Sequence, residues 1–467
     1  MVAQQRKTID AGRNPLPFSN DGGCPVNSDM GRAIRGGEAD MRWIWIGTVG
    51  VGLAAVAGLL GWGASPTPWV RSAEFPPAEQ PTVERLVSPP SVSAEDLPPV
   101  SPAYRAAVNR FLDRLQARGF DRTWQGVLFV DARGRELAVH QPTLMLPAAS
   151  VTKLATSLAA LETWEPNHRF TTKIYATGEL REDVLYGDLI VAGDGDPYFV
   201  WEDSFELGSQ IGALGIRHIA GDFQVVTPFY MNFYPNLSTS AELLRWGMHE
   251  SLWPLEARHQ FQQWASDRAN VRAPAVSFSG GIQTLAALPP EAQPLFEHPS
   301  RSLTEILKAL NTYSNNVMAD MLANRLGGIS VLSDKVSPYL PAREMQVVTA
   351  SGLGRDNRFS ARAVVAILQA LDERAAAGGL SLHDWLPVSG IDPGTLSNRN
   401  VPHGIAAKTG TLNSVTTLAG TLPDGTYFVL LNQGWDIYAV RQLQSQLLRE
   451  MLQVSVDLNS PQAHASP

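Results

Sequence analysis

A serine and a lysine separated by two residues, Ser150 and Lys153, form the part of the sequence best suited to covalent chemistry. At the start of a helix, residues three apart lie on one face, so the amine can accept the proton of the hydroxyl. Serine is a weak nucleophile without a base, and lysine acts as that base only when burial or a second cation keeps it uncharged. The spacing predicts acyl transfer through Ser150, with an ordinary helix start as the alternative for so short a motif.

Lysine is uncommon in this chain, in which arginine supplies most of the positive charge. Because arginine does not exchange its proton near neutral pH, a lysine kept at such a position points to proton transfer. The lysines are Lys7, Lys153, Lys173, Lys308, Lys335 and Lys408.

Two later stretches carry residues that could complete the site. The segment Ser314-Asn315-Asn316 follows a predicted amphipathic helix and presents hydroxyl and amide groups. The segment Lys408-Thr409-Gly410-Thr411 lies on a predicted strand, where a glycine lets a ligand approach the backbone closely. Lys408 is not a phosphate-loop lysine, because no glycine precedes it.

The motifs Ser-x-x-Lys, Ser-x-Asn and Lys-Thr-Gly, in this order, resemble the signature of penicillin-recognising serine acyl transferases and hydrolases. Further segments narrow the resemblance to the D-alanyl-D-alanine carboxypeptidase and endopeptidase family that includes penicillin-binding protein 4. The resemblance covers about residues 103–450. Its segments are Pro147–Ser150, Gly193–Pro197, Ser314–Leu322, Ser351–Asn357, Leu386–Asp392, Gly394–Leu396, Lys408–Leu412 and Leu418–Gly420.

The resemblance implies a peptidase that cleaves peptidoglycan stem peptides through an acyl enzyme on Ser150 and that β-lactams inhibit. Lys153 would accept the serine proton, and Lys408 would lower the pKa of one of the two amines by repulsion. Ser314 would relay a proton to the leaving amine, and Asn316 would hold the substrate's peptide group. The resemblance also assigns substrate binding to Thr409, Gly410 and Thr411, with the terminal carboxylate received by Thr409, Thr411 and Lys408. It assigns the oxyanion hole to the N–H groups of Ser150 and Thr411.

Two features of the second motif leave alternatives open. Asn315 stands where many family members have aspartate, so a local charge is lost and the pH dependence is expected to differ. The motif can also be aligned as Tyr313-x-Asn315, with Tyr313 as a proton carrier. We favour Ser314 and Asn316, because the apolar pattern that follows fits that alignment.

Other function classes are weighed against the peptidase. A β-lactamase or esterase on the same fold would hydrolyse β-lactams rapidly instead of keeping a covalent adduct. A non-catalytic cell-wall binding protein is disfavoured, because all three motifs are intact. A net charge of −8 without a basic stripe argues against nucleic-acid binding. Cys24 is the only cysteine and the histidines lack metal-binding spacing, so neither a metal nor a cofactor is expected.

The elements that must position the motifs follow from pattern and resemblance together. The resemblance implies an α/β penicillin-binding, β-lactamase-like transpeptidase fold, with an antiparallel sheet and helices on both faces. We predict a helix from Ser101, a hairpin around Asp131–Gly134 and a last helix over residues 437–451. The catalytic domain is predicted to comprise residues 103–175 and 291–453, interrupted by an inserted, mainly β domain at 176–290.

The N-terminal region carries no catalytic motif. We predict a disordered cytoplasmic tail at residues 1–40, a single-pass transmembrane anchor at 41–64, a proline-rich linker at 65–102 and a disordered C-terminal tail at 454–467. The arginines before the span predict that the N-terminus lies in the cytoplasm. The catalytic domain is then expected in the periplasm, outside an inner membrane, or to be exported. A cleaved signal peptide and a start at Met41 are alternatives, and a homodimer is left open.

Overall fold

Strands that are buried along most of their length form a central antiparallel sheet in the computed structural model, which describes residues 100–266, 268–269 and 271–459. Leu128 and Val130 point into one core, whereas Val127 and Phe129 point into another. Both faces are covered, which explains the continuous apolar runs. In spatial order the strands are β15 (Ala406–Leu412), β16 (Val415–Thr421), β17 (Tyr427–Gln433), β1 (Gln125–Val130) and β2 (Glu136–His140), so β15 lies at an edge.

Helices cover both faces of this sheet. On one face, α1 (Pro102–Ala117) and α10 (Ile437–Asn459) pack against the core that contains Phe129. Ser101 caps α1, and Pro102 occupies its first position, in agreement with the predicted helix start. On the other face lie α2 (Lys153–Leu161), α6 (Leu303–Tyr313), α7 (Asn316–Leu326), α8 (Ile329–Val336) and α9 (Ala361–Ala377).

A small three-stranded sheet holds the segment that precedes Ser150. Its strands are β13 (Met345–Gln346), β14 (Arg358–Phe359) and β3 (Leu146–Pro147), in that spatial order. Directly before β14, the carbonyl oxygen of Asn357 accepts a hydrogen bond from the Ala148 N–H at 3.0 Å. The backbone at residue 357 therefore holds in place the segment that leads to Ser150.

A third hydrophobic core extends from Ile174 to Val276 and so lies almost entirely in the predicted inserted domain. The paired strands β4 (Arg169–Ala176) and β12 (Gln293–Ser302) lie at the predicted boundaries, since β4 ends at residue 176 and β12 begins three residues after 290. With them, β7 (Leu189–Ala192), β9 (Phe223–Val226) and β11 (Ile282–Leu285) form a five-stranded sheet. A second sheet contains β5 (Glu179–Arg181), β6 (Val184–Tyr186), β8 (His218–Ile219) and β10 (Ser277–Phe278).

This region contains more helix than expected, because the sequence predicts a mainly β domain. The reason is an aromatic cluster in which Phe205 packs against Trp253 and Phe261, with ring centroids 4.8 Å and 5.3 Å away. Packing these rings together buries a large apolar area and stabilises the helices that carry Phe205 and Phe261. The helices are α3 (Trp201–Ala213), α4 (Leu237–Gly247) and α5 (Leu255–Ser266).

The last helix extends beyond the predicted end of the catalytic domain at residue 453. Residues 454–459, which the sequence predicts to be disordered, continue α10, because Met451 is buried against α1 and Ser455 donates a hydrogen bond to Asp424. The remainder of that predicted tail, the predicted cytoplasmic tail, the predicted anchor and linker residues 65–99 lie outside the described residues. Within the described part of the chain, no helix combines the length and apolar character needed to cross a bilayer.

Candidate active site

Ser150 lies in a short 3-10 turn, Ala149–Thr152, that leads directly into α2. Residues three apart are eclipsed in this conformation, and Nζ of Lys153 lies 3.1 Å from Oγ of Ser150. Ala149 has a φ of 49°, in the left-handed region that alanine rarely adopts. Backbone strain of this kind clusters where a structure fixes a reactive group. The serine therefore precedes the helix, whereas the lysine begins it.

Lys153 is fully buried, and its amine forms hydrogen bonds with residues of other segments. Its Nζ donates to Oδ1 of Asn316 at 2.8 Å and to the carbonyl oxygen of Ser351 at 2.7 Å. Burial lowers the pKa of Lys153 to about 7, and the nearby carboxyl group of Asp320 opposes this only in part. A neutral amine has two N–H groups and one lone pair. Because two acceptors take the N–H groups, the lone pair remains for the hydroxyl of Ser150.

Lys408 is also fully buried and connects the third motif to the second. Its Nζ donates to Oγ of Ser314 and to the carbonyl oxygen of Thr409, both at 2.8 Å. Burial holds the pKa of Lys408 well below its ordinary value, and the charges of Lys153 and Arg399 lower it further. The sequence predicts burial or a second cation as the cause; burial is the largest cause for both amines, and the charge of Lys153 contributes at Lys408.

The second motif lies between two helices, where one residue adopts the left-handed backbone conformation. Ser314 ends α6 with a φ of 57°, and Oδ1 of Asn315 accepts two N–H groups in the first turn of α7. An aspartate would cap the helix in the same way, so Asn315 preserves this start without the charge. Ser314 and Asn316 contact the lysines, whereas Tyr313 is 46% exposed. The geometry follows the Ser-x-Asn alignment.

Gly410 serves the packing of the strand. A Cβ atom at this position would lie 2.1 Å from Oγ1 of Thr417 and 2.9 Å from the carbonyl oxygen of Ala148. The glycine therefore allows β15 to approach the segment before Ser150. The side on which a Cβ would lie is filled by protein, and the predicted approach of a ligand to this glycine stays a prediction.

Gly352 makes a similar close approach, and its replacement gives a direct test. Its φ is 77°, and a Cβ atom would lie 1.9 Å from the carbonyl oxygen of Ala149. Gly352→Ala should destabilise the fold by about 2–3 kcal/mol and slow acylation of Ser150 by at least ~10-fold, because the strained turn must shift. Thermal unfolding and the rate of fluorescent penicillin labelling measure the two effects. Gly354→Ala is the matched control, since φ is 96° there but no atom lies within 4 Å of the added Cβ; equal effects of both variants would contradict the packing role.

The two threonines of the third motif have different partners. Thr409 is nearly buried, and its hydroxyl donates to Oγ1 of Thr395 at 2.7 Å. Thr411 is exposed, and its Oγ1 accepts a hydrogen bond from Nη2 of Arg441 at 2.6 Å. Since β15 is an edge strand, its open side can pair with an extended peptide. Thr411 is therefore the more accessible of the two hydroxyl groups.

A buried arginine behind β15 was missed from the sequence. Arg399 is 5% exposed and donates to the carbonyl oxygen of Thr417 at 2.6 Å and to Oγ1 of Thr416 at 2.7 Å. Burial lowers its pKa to about 9, and the charge of Arg441 contributes. The one sequence feature that pointed toward Arg399 was the segment Gly394–Leu396 just before it, which is part of the family resemblance. In the ranges that the structure describes, no group of three His, Cys, Asp or Glu residues could hold a metal ion.

Comparisons with known proteins place this constellation in a family. Residues 113–233 and 268–453 match the model of the D-Ala-D-Ala carboxypeptidase 3 (S13) family. Carboxypeptidase Rv3627c of Mycobacterium tuberculosis is 26% identical over 338 residues, which cover 64% of this chain and 72% of that protein. D-alanyl-D-alanine carboxypeptidase DacB of Haemophilus influenzae is 21% identical over 382 residues, covering 61% of this chain and 79% of that protein.

Solved structures share the fold. Penicillin-binding protein 4 (dacB) of Haemophilus influenzae superposes with a TM-score of 0.57 at 18% identity, covering 73% of this chain and 99% of that chain. The predatory endopeptidase Bd3459 of Bdellovibrio bacteriovorus, in complex with an immunity protein, gives a TM-score of 0.61 at 21% identity, covering 72% and 93%. The predicted penicillin-binding fold of the described region is confirmed.

The family model covers more than half of the chain and includes all three motifs. The resemblance inferred from the motifs and the predicted class of enzyme, a D-Ala-D-Ala carboxypeptidase-type hydrolase, are therefore confirmed. The protein belongs to the D-Ala-D-Ala carboxypeptidase 3 (S13) family.

Proposed function

We propose that this protein is a serine-type D-Ala-D-Ala carboxypeptidase and endopeptidase that acts on peptidoglycan stem peptides through an acyl enzyme on Ser150 and is inhibited by β-lactams. The contact of Lys153 Nζ with Ser150 Oγ at 3.1 Å carries the proposal, because the lysine is buried and both its N–H groups have other acceptors. The names of related proteins support the substrate: Bd3459 is called a peptidoglycan endopeptidase, and penicillin-binding protein 4 of Haemophilus influenzae was solved with a β-lactam.

Acylation begins when Oγ of Ser150 attacks the carbonyl carbon of the penultimate residue while Lys153 takes the hydroxyl proton. The backbone N–H groups of Ser150 and Thr411 stabilise the oxyanion. Ser314 passes a proton to the leaving amine, and Lys408, whose amine donates to Ser314, supports that transfer. The C–N bond breaks, and the ester on Ser150 remains.

Deacylation reverses these roles, with water in the place of the leaving amine. Lys153 takes a proton from the water, the ester bond breaks and the Ser150 hydroxyl re-forms. Asn316 orients the substrate in both steps: its Oδ1 accepts from Lys153, so its amide N–H groups are left to donate to a peptide carbonyl. The open side of β15 holds the extended peptide.

The rate of acylation should rise with pH through an apparent pKa of about 7. Below that pH, protonated Lys153 has no lone pair for the Ser150 hydroxyl; above it, the free amine acts as the base. Profiles of kcat/KM for a D-Ala-D-Ala peptide and of penicillin labelling between about pH 5 and pH 9 would show this limb. A profile that stays flat across neutral pH would contradict a lysine base of lowered pKa.

Two assays test the function as a whole. Fluorescent penicillin should give a long-lived adduct, and mass spectrometry of the digested protein should place it on the peptide that contains Ser150. Defined muropeptides then distinguish the activities, since release of D-alanine reports a carboxypeptidase and splitting of cross-links an endopeptidase. Rapid penicillin hydrolysis would support the β-lactamase alternative, and absence of both adduct and products would support the non-catalytic alternative.

We further propose that residues 41–64 anchor the protein in a membrane and that the catalytic domain lies outside the cytoplasm. The support is the uncharged, tryptophan-flanked run from Trp43 to Ala64. Fractionation of the full chain and of a chain starting at residue 65 tests this, since the anchor is excluded if both fractionate alike. Light scattering of the shorter chain tests for a homodimer.

A further inference from the structure

A cleft at one end of the central sheet is lined by aromatic and polar side chains that the proposed mechanism does not use. Its volume is about 390 Å³, within the usual range of small-molecule sites. Trp124, just before β1, and Trp435, just after β17, line it and are 51% and 74% exposed. Large rings exposed beside a cleft are typical of ligand-binding surfaces. The cleft is also lined by Phe120, Asp121, Arg355, Arg358 and Gln433.

We propose that this cleft binds a sugar ring of the glycan strand that carries the stem peptide, and so makes the enzyme selective for peptides still attached to their sugars. This inference rests on the proposed function and adds a second binding site to it. The ligand class is an N-acetylated amino sugar, alone or in a short oligomer. The chemistry of the cleft and its position beside β15 both support this ligand.

The aromatic side of the cleft rests on a buried ring. Phe120 is 2% exposed and packs against Trp435, with ring centroids 5.7 Å apart. A Cβ atom on Gly434 would lie 2.7 Å from the Phe120 ring, so the glycine allows this close packing. A pyranose ring has an apolar face of C–H groups, and such a face packs well on the electron-rich face of an aromatic ring. Trp435 is therefore a supported platform for a sugar.

Polar groups in the same cleft suit the hydroxyl and acetamido groups of a sugar. Oε1 of Gln433 accepts a hydrogen bond from Arg355, so the amide N–H groups of Gln433 are left to donate. Arg358 donates through Nη1 to the carbonyl oxygen of Met145 at 3.4 Å, and a guanidinium has five N–H groups in all. Asp121 adds an exposed carboxylate as an acceptor. Donors, acceptors and charges of both signs around apolar rings favour a neutral ligand rich in hydroxyl groups.

The cleft also lies where a stem peptide bound along β15 would end. The resemblance assigns the terminal carboxylate to residues 408–411 and the oxyanion hole to the N–H of the last of these, so the sugar-bearing end of the peptide extends past Thr411. Arg355 connects the two places, because it donates to the carbonyl oxygen of Asn413 at 3.1 Å and to Gln433. The cleft is thus continuous with the open side of the strand.

The first test measures binding of a soluble tetramer of N-acetylglucosamine to the full chain by calorimetry. Wild-type protein should bind it with a Kd of about 0.1–1 mM. Trp435→Ala and Trp124→Ala should each weaken binding at least about 10-fold, and Trp435→Tyr should recover part of the loss, because it restores an aromatic face. Trp246→Ala is the matched control, since Trp246 is an exposed tryptophan on α4, outside the cleft. It should bind the tetramer like wild type.

The second test compares a muropeptide, in which the stem peptide carries its disaccharide, with the same peptide free of sugar. Wild-type protein should prefer the muropeptide about 10-fold in kcat/KM, mainly through a lower KM. Trp435→Ala should lose this preference, whereas its kcat/KM for the free peptide should change less than about 2-fold. An equal loss on both substrates would show that the cleft holds peptide or supports the fold, and would overturn the proposal. A preference that the variant keeps, or none in wild type, would overturn it too.

The binding test keeps this inference separate from the proposed function. If wild-type protein hydrolyses neither substrate, the proposed function fails, and binding of the tetramer that Trp435→Ala weakens about 10-fold still supports the sugar site. If the tetramer does not bind wild type at about 10 mM, or binds wild type and variant alike, the inference fails. Thermal unfolding of each variant separates misfolding from lost recognition.

Discussion

Replacing Ser150 with alanine should abolish covalent labelling by penicillin and lower kcat/KM for D-Ala-D-Ala peptides by about 10⁵-fold or more. The residue provides the only bond through which the acyl group is held, so its loss removes the two-step route. The residual rate should reflect peptide binding and the oxyanion-hole donors alone. Labelling with fluorescent penicillin and release of D-alanine measure the two effects.

The neighbouring hydroxyl of Ser314 is not placed to substitute for Ser150. The hydroxyl of Ser314 is engaged by Lys408, whereas Lys153, the base, contacts Ser150 at 3.1 Å. Ser209→Ala in α3 is a suitable control, since Oγ of Ser209 donates only within its own helix. A Ser150→Ala protein that still forms the adduct would place the nucleophile elsewhere, and one that keeps its full effect on the cell wall would revive the non-catalytic alternative.

Replacing Lys153 with methionine should slow acylation by about 10²- to 10⁴-fold, the usual contribution of a general base. Methionine fills a similar volume, so the buried site keeps its packing but loses the lone pair that faces Ser150. The rise of the rate through a pKa of about 7 should disappear with the amine. Stopped-flow penicillin labelling of wild type and variant across neutral pH measures both effects.

Lys173→Met is the control for the loss of a lysine, because Lys173 lies on β4 and pairs with Glu297 at the surface. It should leave the rate and its pH profile unchanged. If Lys153→Met kept the neutral-pH limb, Lys408 would be the base, since its pKa is also lowered by burial. Lys408→Met would then remove the limb instead.

The sequence could predict those parts of the site that depend on local spacing. Ser150 and Lys153 are three residues apart, and a 3-10 turn leading into a helix brings such residues together whatever surrounds them. Ser101 and Pro102 likewise predicted the start of α1, because helix capping depends on adjacent residues. The order of the three motifs then indicated the family, and with it the sheet that unites them.

Contacts between distant segments could not be predicted in this way. Phe205 of α3 packs against Phe261 of α5, about 56 residues further along the chain. The last turns of α10 are held by Ser455 and Asp424, which are far apart in the chain. The close packing of Gly410 against Thr417 and Ala148 likewise joins residues far apart in the chain. No local pattern encodes such neighbours.

The sequence by itself determined which groups this protein can use: a hydroxyl nucleophile, two lysines and an edge strand with hydroxyl groups. Tertiary structure decided their chemical states, because a pKa depends on burial and on charges from other elements. Burial turns Lys153 into a base near neutral pH. Hydrogen bonds across the fold commit the Thr409 proton to Thr395 and leave Thr411 beside Arg441, 30 residues further along the chain.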